Sequence, residues 1–123
     1  MNIIILSAIL ISISLSVAAQ LFLKNGMSNE HVQKALAENL PSALIAISTN
    51  IFIILGLASY VASMGAWLYV LSKMEVSKAY PFVGLGFIGT MICAYWLLNE
   101  PLNPYKIIGT VFISVGVYLV SKS

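Results

Sequence analysis

One uncharged stretch near the start of the chain constrains the fold more than any other feature. Residues 3–23 contain no Asp, Glu, Lys or Arg. An α-helix rises by about 1.5 Å per residue, so this stretch would be about 31 Å long, close to the roughly 30 Å hydrocarbon core of a bilayer. Residues 3–23 are therefore predicted to cross a membrane as a helix.

The rest of the chain repeats this pattern. Hydrophobic residues make up 60% of the 123 residues and charged residues 8%, which is far from the composition of soluble domains. Further apolar runs predict spans at 47–71, 79–98 and 104–120, and the polar segment 24–42 predicts a short interfacial helix. Short connections make neighbouring helices antiparallel. We therefore predict an all-α integral membrane protein, with residues 1–123 forming a single domain of four transmembrane helices and both termini on one side.

The lysines do not indicate which way the chain inserts. The positive-inside rule requires more Lys and Arg on one face than on the other. The predicted topology instead divides the six lysines equally, with Lys73, Lys78 and Lys122 on the face of the termini and Lys24, Lys34 and Lys106 on the opposite face. Two interpretations remain open: an antiparallel homodimer, or a single orientation set by a partner subunit or another signal.

The first predicted helix carries polar residues at intervals of four: Ser12, Ser16, Gln20 and Lys24. This spacing places them along one slowly drifting stripe of the helix. Polar side chains at membrane depth usually face a bundle interior or a wet cavity. Ser12 could instead serve close helix packing, and Lys24 could extend to the lipid headgroups rather than bind an anion.

Aromatic residues on the next two helices could complete such a cavity. Tyr60 and Trp67 lie seven residues apart and share a face, although packing, or for Trp67 an interfacial position, would explain them equally well. Tyr80, before Pro81, opens the third helix, where its hydroxyl could reach the polar stripe. The candidate substrate-binding residues are Ser16, Gln20, Lys24, Tyr60, Trp67 and Tyr80.

The fourth predicted helix carries two glycines seven residues apart, Gly109 and Gly116. Small residues on one face let two helices approach closely. We therefore expect this helix to form a dimer interface.

The chain has no visible residues for catalysis. No Asp, Glu, His or Arg lies inside a predicted span, and Glu100 is interpreted as a turn or cap residue at the end of the third. There is no cluster of metal ligands, no nucleophile with a base and no phosphate-binding glycine loop, so no enzyme activity, metal or cofactor is expected. A net charge of +2 without a basic patch also argues against nucleic-acid binding.

Several short segments resemble the small drug/metabolite transporter superfamily, which has EamA-like and small multidrug resistance-like members. They are Gln20 to Lys24, Ala79-Tyr80-Pro81, Asn99-Glu100-Pro101-Leu102, and Gly109 with Gly116. Members of the multidrug branch have an essential glutamate eight residues before the span-end lysine, where this chain has Ser16, and a tryptophan where it has Val83. The chain is most similar to the branch of the aminoarabinose-phosphoundecaprenol flippase subunits.

This resemblance implies a small multidrug resistance-like fold in the bacterial inner membrane, assembled as an antiparallel homodimer or as a heterodimer with a related subunit. The implied function is a flippase for an undecaprenyl-phosphate-linked sugar. Lys24 would neutralise the lipid phosphate, while Ser16, Gln20, Tyr60 and Tyr80 would replace water around the sugar. The alternatives are an exporter of polyamines, drugs or metabolites, and a scaffold subunit that does not transport.

Overall fold

The computed structural model describes residues 2–123, and within that range every regular element is helical. The α-helices are α1 (Ile3–Met27), α2 (Glu30–Glu38), α3 (Leu40–Thr49), α4 (Ile51–Lys73), α5 (Val76–Ala79), α6 (Val83–Leu97) and α7 (Pro104–Ser121), and a 3₁₀ turn (Tyr80–Phe82) joins α5 to α6. Four segments of this part of the chain are long and apolar enough to cross a membrane: α1, α4, Val76–Leu97 and α7. The predicted all-α fold with four spans is thereby confirmed.

Asparagine side chains set where several helices begin. Asn2, Asn29, Asn39, Asn50 and Asn103 precede α1, α2, α3, α4 and α7, and each side-chain oxygen accepts a hydrogen bond from an amide of the following first turn. Such N-caps satisfy amides that have no partner inside the helix.

These caps explain how the elements differ from the predicted ranges. The second span begins at Ile51 rather than near residue 47, because Asn50 has an extended backbone and divides the long apolar run between α3 and α4. Asn39 divides the preceding segment in the same way. The polar region therefore contains two short helices, α2 and α3, after an α1 that continues to Met27.

The helices α1 and α4 form the closest pair in the bundle. A Cβ atom at Gly56 would lie 2.7 Å from Leu23 Cγ and 3.1 Å from the carbonyl oxygen of Ala19. Near the middle of the two helices, Ser12 and Ser63 donate hydrogen bonds to each other's backbone carbonyls, at 3.0 Å and 2.8 Å. Small residues thus allow two helix backbones to approach closely, as is typical in membranes.

The opposite side of α1 packs against α6, and α7 packs against α6 and the 3₁₀ turn. A Cβ at Gly89 would lie 3.3 Å from Val17 on α1, and one at Gly84 would lie 2.8 Å from Ile113 on α7. Val117 is the one buried residue of α7. Most apolar side chains of α7 therefore face outward, where a bilayer would solvate them.

The two short helices cover the end of the bundle opposite the termini. Val32 and Ala35 of α2 pack with Ala46 of α3 and Ile53 of α4. The ten residues of α3 would extend only about 15 Å, half of a hydrocarbon core. This helix is therefore too short to span the core, and an interfacial position of α2 and α3 remains a prediction.

Candidate functional site

Two adjoining cavities follow α1 along the bundle, with volumes of about 400 Å³ and about 340 Å³. Both are lined by Ser16, Val83 and Gly86, so they adjoin at these residues, and we call the two cavities together the groove. Its walls come from α1, α4 and α6 and from the ends of the connection between α6 and α7. The groove is open at the molecular surface rather than enclosed.

The half of the groove nearer the termini is predominantly apolar with aromatic walls. Tyr60 and Trp67 of α4 and Tyr80 of the 3₁₀ turn line it. Tyr80 is 63% exposed, whereas Tyr60 and Trp67 are partly buried. Ser12 and Ser63 also border this half, but their hydroxyls are occupied by the bonds between α1 and α4.

The other half of the groove is more polar. Gln20 of α1 and Thr90 of α6 line it together with Ser16. The side-chain amide of Gln20 donates a hydrogen bond to the hydroxyl of Tyr60, so the two halves are joined by a polar link between α1 and α4. An amide and hydroxyls at this depth can replace water around a polar solute.

This half ends at two charged residues, Glu100 and Lys106. Glu100 follows Asn99, whose φ of 57° lies in the left-handed region that asparagine tolerates. The amide of Glu100 donates to the carbonyl of Ala94 at 3.2 Å, while the ammonium of Lys106 donates to the carbonyl of Pro101 at 2.6 Å. The backbone of α6 therefore holds Glu100, and the backbone of the connection between α6 and α7 holds Lys106.

The structure brings five of the six candidate substrate-binding residues to the groove. Ser16, Gln20, Tyr60, Trp67 and Tyr80 line it. The sixth, Lys24, is exposed one helical turn beyond Gln20 and lines neither cavity. Whether any of these residues binds substrate remains a prediction.

The sequence interpretation did not include Glu100 and Lys106 in the site. Glu100 does lie in the predicted turn, and it lines the groove as well. The position of Glu100 beside the polar stripe could have been inferred from the topology. In an antiparallel bundle, the end of the first span, the end of the third and the start of the fourth lie at the same end. These positions carry Gln20, Glu100 and Lys106.

The two glycines of the predicted dimer interface lie on α7 without neighbours. A Cβ atom added at Gly109 or Gly116 would meet no atom of the described chain within 4 Å. Their surface is thus free to contact another helix, and dimerisation through α7 remains a prediction.

The chain is similar to bacterial proteins named as probable subunits of a 4-amino-4-deoxy-L-arabinose-phosphoundecaprenol flippase. It is 36% identical to subunit ArnF of Proteus mirabilis (strain HI4320), over 96% of this chain and 88% of that protein. It is 34% identical to ArnF of Erwinia tasmaniensis, over 89% and 87%. A subunit ArnE, from Pseudomonas savastanoi pv. phaseolicola, is 28% identical over 78% and 83%.

No solved structure matches the chain. The model of the EamA-like transporter family, in contrast, matches residues 5–122, a range that includes the whole groove and almost all of the four membrane spans. Together with its similarity to the Proteus protein, this match shows that the chain belongs to the EamA-like transporter family.

Proposed function

We propose that this chain is a subunit of a flippase that moves an undecaprenyl-phosphate-linked amino sugar across the bacterial inner membrane. The observation that carries the proposal is the groove of two adjoining cavities, whose polar residues lie among membrane-spanning helices and which is open at the surface. A lipid headgroup could move along such a groove while its tail stays in the surrounding bilayer. The names of the similar proteins specify the headgroup.

The groove would lower the main barrier to this movement, which is the loss of water by the headgroup. Moving one hydroxyl into hydrocarbon without a hydrogen-bond partner costs roughly 2–7 kcal/mol. Ser16, Gln20, Tyr60 and Tyr80 offer hydroxyl and amide partners along the path. Trp67 adds an aromatic wall against which the sugar ring can pack.

We assign Lys24 the role of attracting the lipid phosphate to the groove rather than holding it inside. Its ammonium lies outside both cavities, one turn beyond Gln20, on the face that also carries Lys34 and Lys106. A cation at the membrane surface raises the local concentration of anionic headgroups.

For the active assembly we propose a dimer formed through α7, in which Gly109 and Gly116 let two helices approach. Relatives named ArnF and ArnE are both described as subunits, which favours a heterodimer. The equal division of lysines between the two faces would suit two copies in opposite orientations. Both assemblies are compatible with the open surface of these glycines.

One observation favours a second candidate, an exporter of small organic cations. The carboxylate-bearing residue Glu100 lines the groove, and a cation path needs such a group. In this case purified protein would transport a polyamine or a quaternary ammonium dye and would leave the lipid-linked sugar in its original leaflet. A scaffold subunit would transport neither, and substitutions in the groove would then have no effect.

The proposal is tested with purified protein in liposomes that contain a fluorescent undecaprenyl-phosphate amino sugar. A membrane-impermeant reagent added outside destroys the accessible label, so flipping appears as loss of the protected fraction. We expect rapid loss with the wild-type chain, slower loss with Lys24→Ala, and no slowing with Lys122→Ala, which removes an exposed lysine at the opposite end of the bundle. Folded protein that moves a small cation and no lipid would refute the flippase proposal.

A further inference from the structure

The charged end of the groove has an unusual composition for a site that binds an anion. Of the residues that line the groove, Glu100 and Lys106 are the two that carry a formal charge, and they have opposite signs. A site for a phosphate alone would be better served by the lysine without a neighbouring carboxylate, because the carboxylate repels the phosphate.

The side chains of Glu100 and Lys106 are not held by an ion pair with each other; each residue is bonded to the backbone. The Lys106 ammonium donates to the carbonyl of Pro101, and the hydrogen bond that fixes Glu100 is formed by its backbone amide. Glu100 is partly buried, and Lys106 is exposed at the start of α7. Both residues line the same cavity, and the bonds that hold them leave donors of the ammonium and the side-chain carboxylate for a solute.

We propose that this end of the groove selects a zwitterionic headgroup, with Lys106 pairing with the phosphate and Glu100 with the amine of the sugar. The inference rests on the proposed function and assigns the choice of substrate to two residues. A headgroup with one phosphate and one amine matches both charges. A lipid-linked sugar without the amine would leave the partly buried carboxylate of Glu100 unpaired beside a phosphate, which is unfavourable.

The sugar named for the similar proteins carries its amine on carbon 4 and is joined to the phosphate elsewhere on the ring. The two opposite charges of the headgroup are therefore separated by the sugar ring, and they need two protein charges that are also separated. Glu100 lies within the turn between α6 and α7, whereas Lys106 lies in the first turn of α7, so the two side chains start from different points of the backbone. The polar residues Gln20 and Thr90 lie in the same cavity and remain for the sugar hydroxyls.

A binding measurement tests this assignment without depending on a partner subunit. Short-chain analogues of the amino sugar phosphate lipid are titrated into purified protein, in parallel with the same analogues N-formylated so that the amine has no charge. Tryptophan fluorescence reports binding, since Trp67 lines the groove and Trp96 lies beside Glu100 at its outer surface. The variants are Glu100→Gln, Lys106→Gln and, as a matched control, Glu38→Gln, which changes an exposed glutamate of α2 outside the groove.

Wild-type protein and Glu38→Gln should bind the amine form about tenfold more tightly than the N-formyl form, because one charge-assisted hydrogen bond is lost. Glu100→Gln should bind both forms equally, and at least as tightly as the wild type binds the N-formyl form because the carboxylate no longer repels the phosphate, and Lys106→Gln should weaken both by a similar factor. Equal binding of both lipids by the wild type, or a preference for the amine that survives in Glu100→Gln, overturns the selectivity while leaving the flippase proposal intact. Failure of the wild type to bind either lipid would refute both.

Discussion

Replacing the two buried serines between α1 and α4 tests how this bundle is held together. Each hydroxyl has one proton and lies within hydrogen-bond distance of a carbonyl of the opposite helix: Ser12 Oγ is 3.0 Å from the Ser63 carbonyl and Ser63 Oγ is 2.8 Å from the Ser12 carbonyl. A hydrogen bond between membrane helices contributes about 0.6 kcal/mol on average and up to about 1.7. Ser12→Ala and Ser63→Ala should each lower the free energy of unfolding by about 0.6 kcal/mol, and the double variant by about 1.2.

The measurement is reversible unfolding in mixed micelles, followed by far-UV circular dichroism. Ser59→Ala is the matched control, because the Ser59 hydroxyl donates to Leu55 of its own helix at 2.9 Å, and its loss should change stability less. The two hydroxyl oxygens of Ser12 and Ser63 also lie 3.1 Å apart. If the contact between them carried the stabilisation, the first substitution would cost the whole amount and the second nothing. That non-additive result would refute our account of two independent bonds.

Three further substitutions test the packing, the dimer and the groove. Gly56→Ala should destabilise the fold by about 1–3 kcal/mol because its Cβ would collide with α1. Gly65→Ala is the control on the same helix, because a Cβ there has nothing within 4 Å. Equal unfolding midpoints for the two variants would contradict this. Gly109→Leu and Gly116→Leu should leave the unfolding of the monomer unchanged but reduce cross-linked dimers in liposomes, and an unchanged dimer yield would exclude α7 as the interface. Tyr60→Phe, which removes the hydroxyl that accepts the α1 amide, should slow transport and lower stability by about 0.6 kcal/mol, as for the other bonds between α1 and α4; wild-type transport rates would argue against a role in the path.

The polar stripe on α1 shows where sequence reasoning ends. Residues spaced by four advance by about 40° more than a full turn at each step, so Ser12 and Lys24 point about 120° apart. The structure accordingly uses the stripe in three ways: Ser12 bonds to α4, Ser16 and Gln20 line the groove, and Lys24 lies outside it. The spacing of the residues predicted a shared face, but it could not distinguish the residue that bonds to α4 from those that line the groove or lie outside it.

The helices themselves follow from local properties of the sequence. Hydropathy and span length are read within one segment, so the positions of the four membrane helices can be derived from the order of the residues. Asparagine caps are also local. Asn103 is recognisable because Pro104 follows it, whereas the break at Asn50 is hidden inside an apolar run.

Which polar groups meet depends instead on how the helices pack. The link from Gln20 to Tyr60 joins residues 40 positions apart, and the bonds between Ser12 and Ser63 join residues 51 apart. Such contacts require a particular rotation of each helix about its axis, which the close approach at Gly56 and at Gly89 sets. The charged end of the groove has the same origin, because Glu100 and Lys106 share a cavity with α1 residues only once α1 and α6 are packed together.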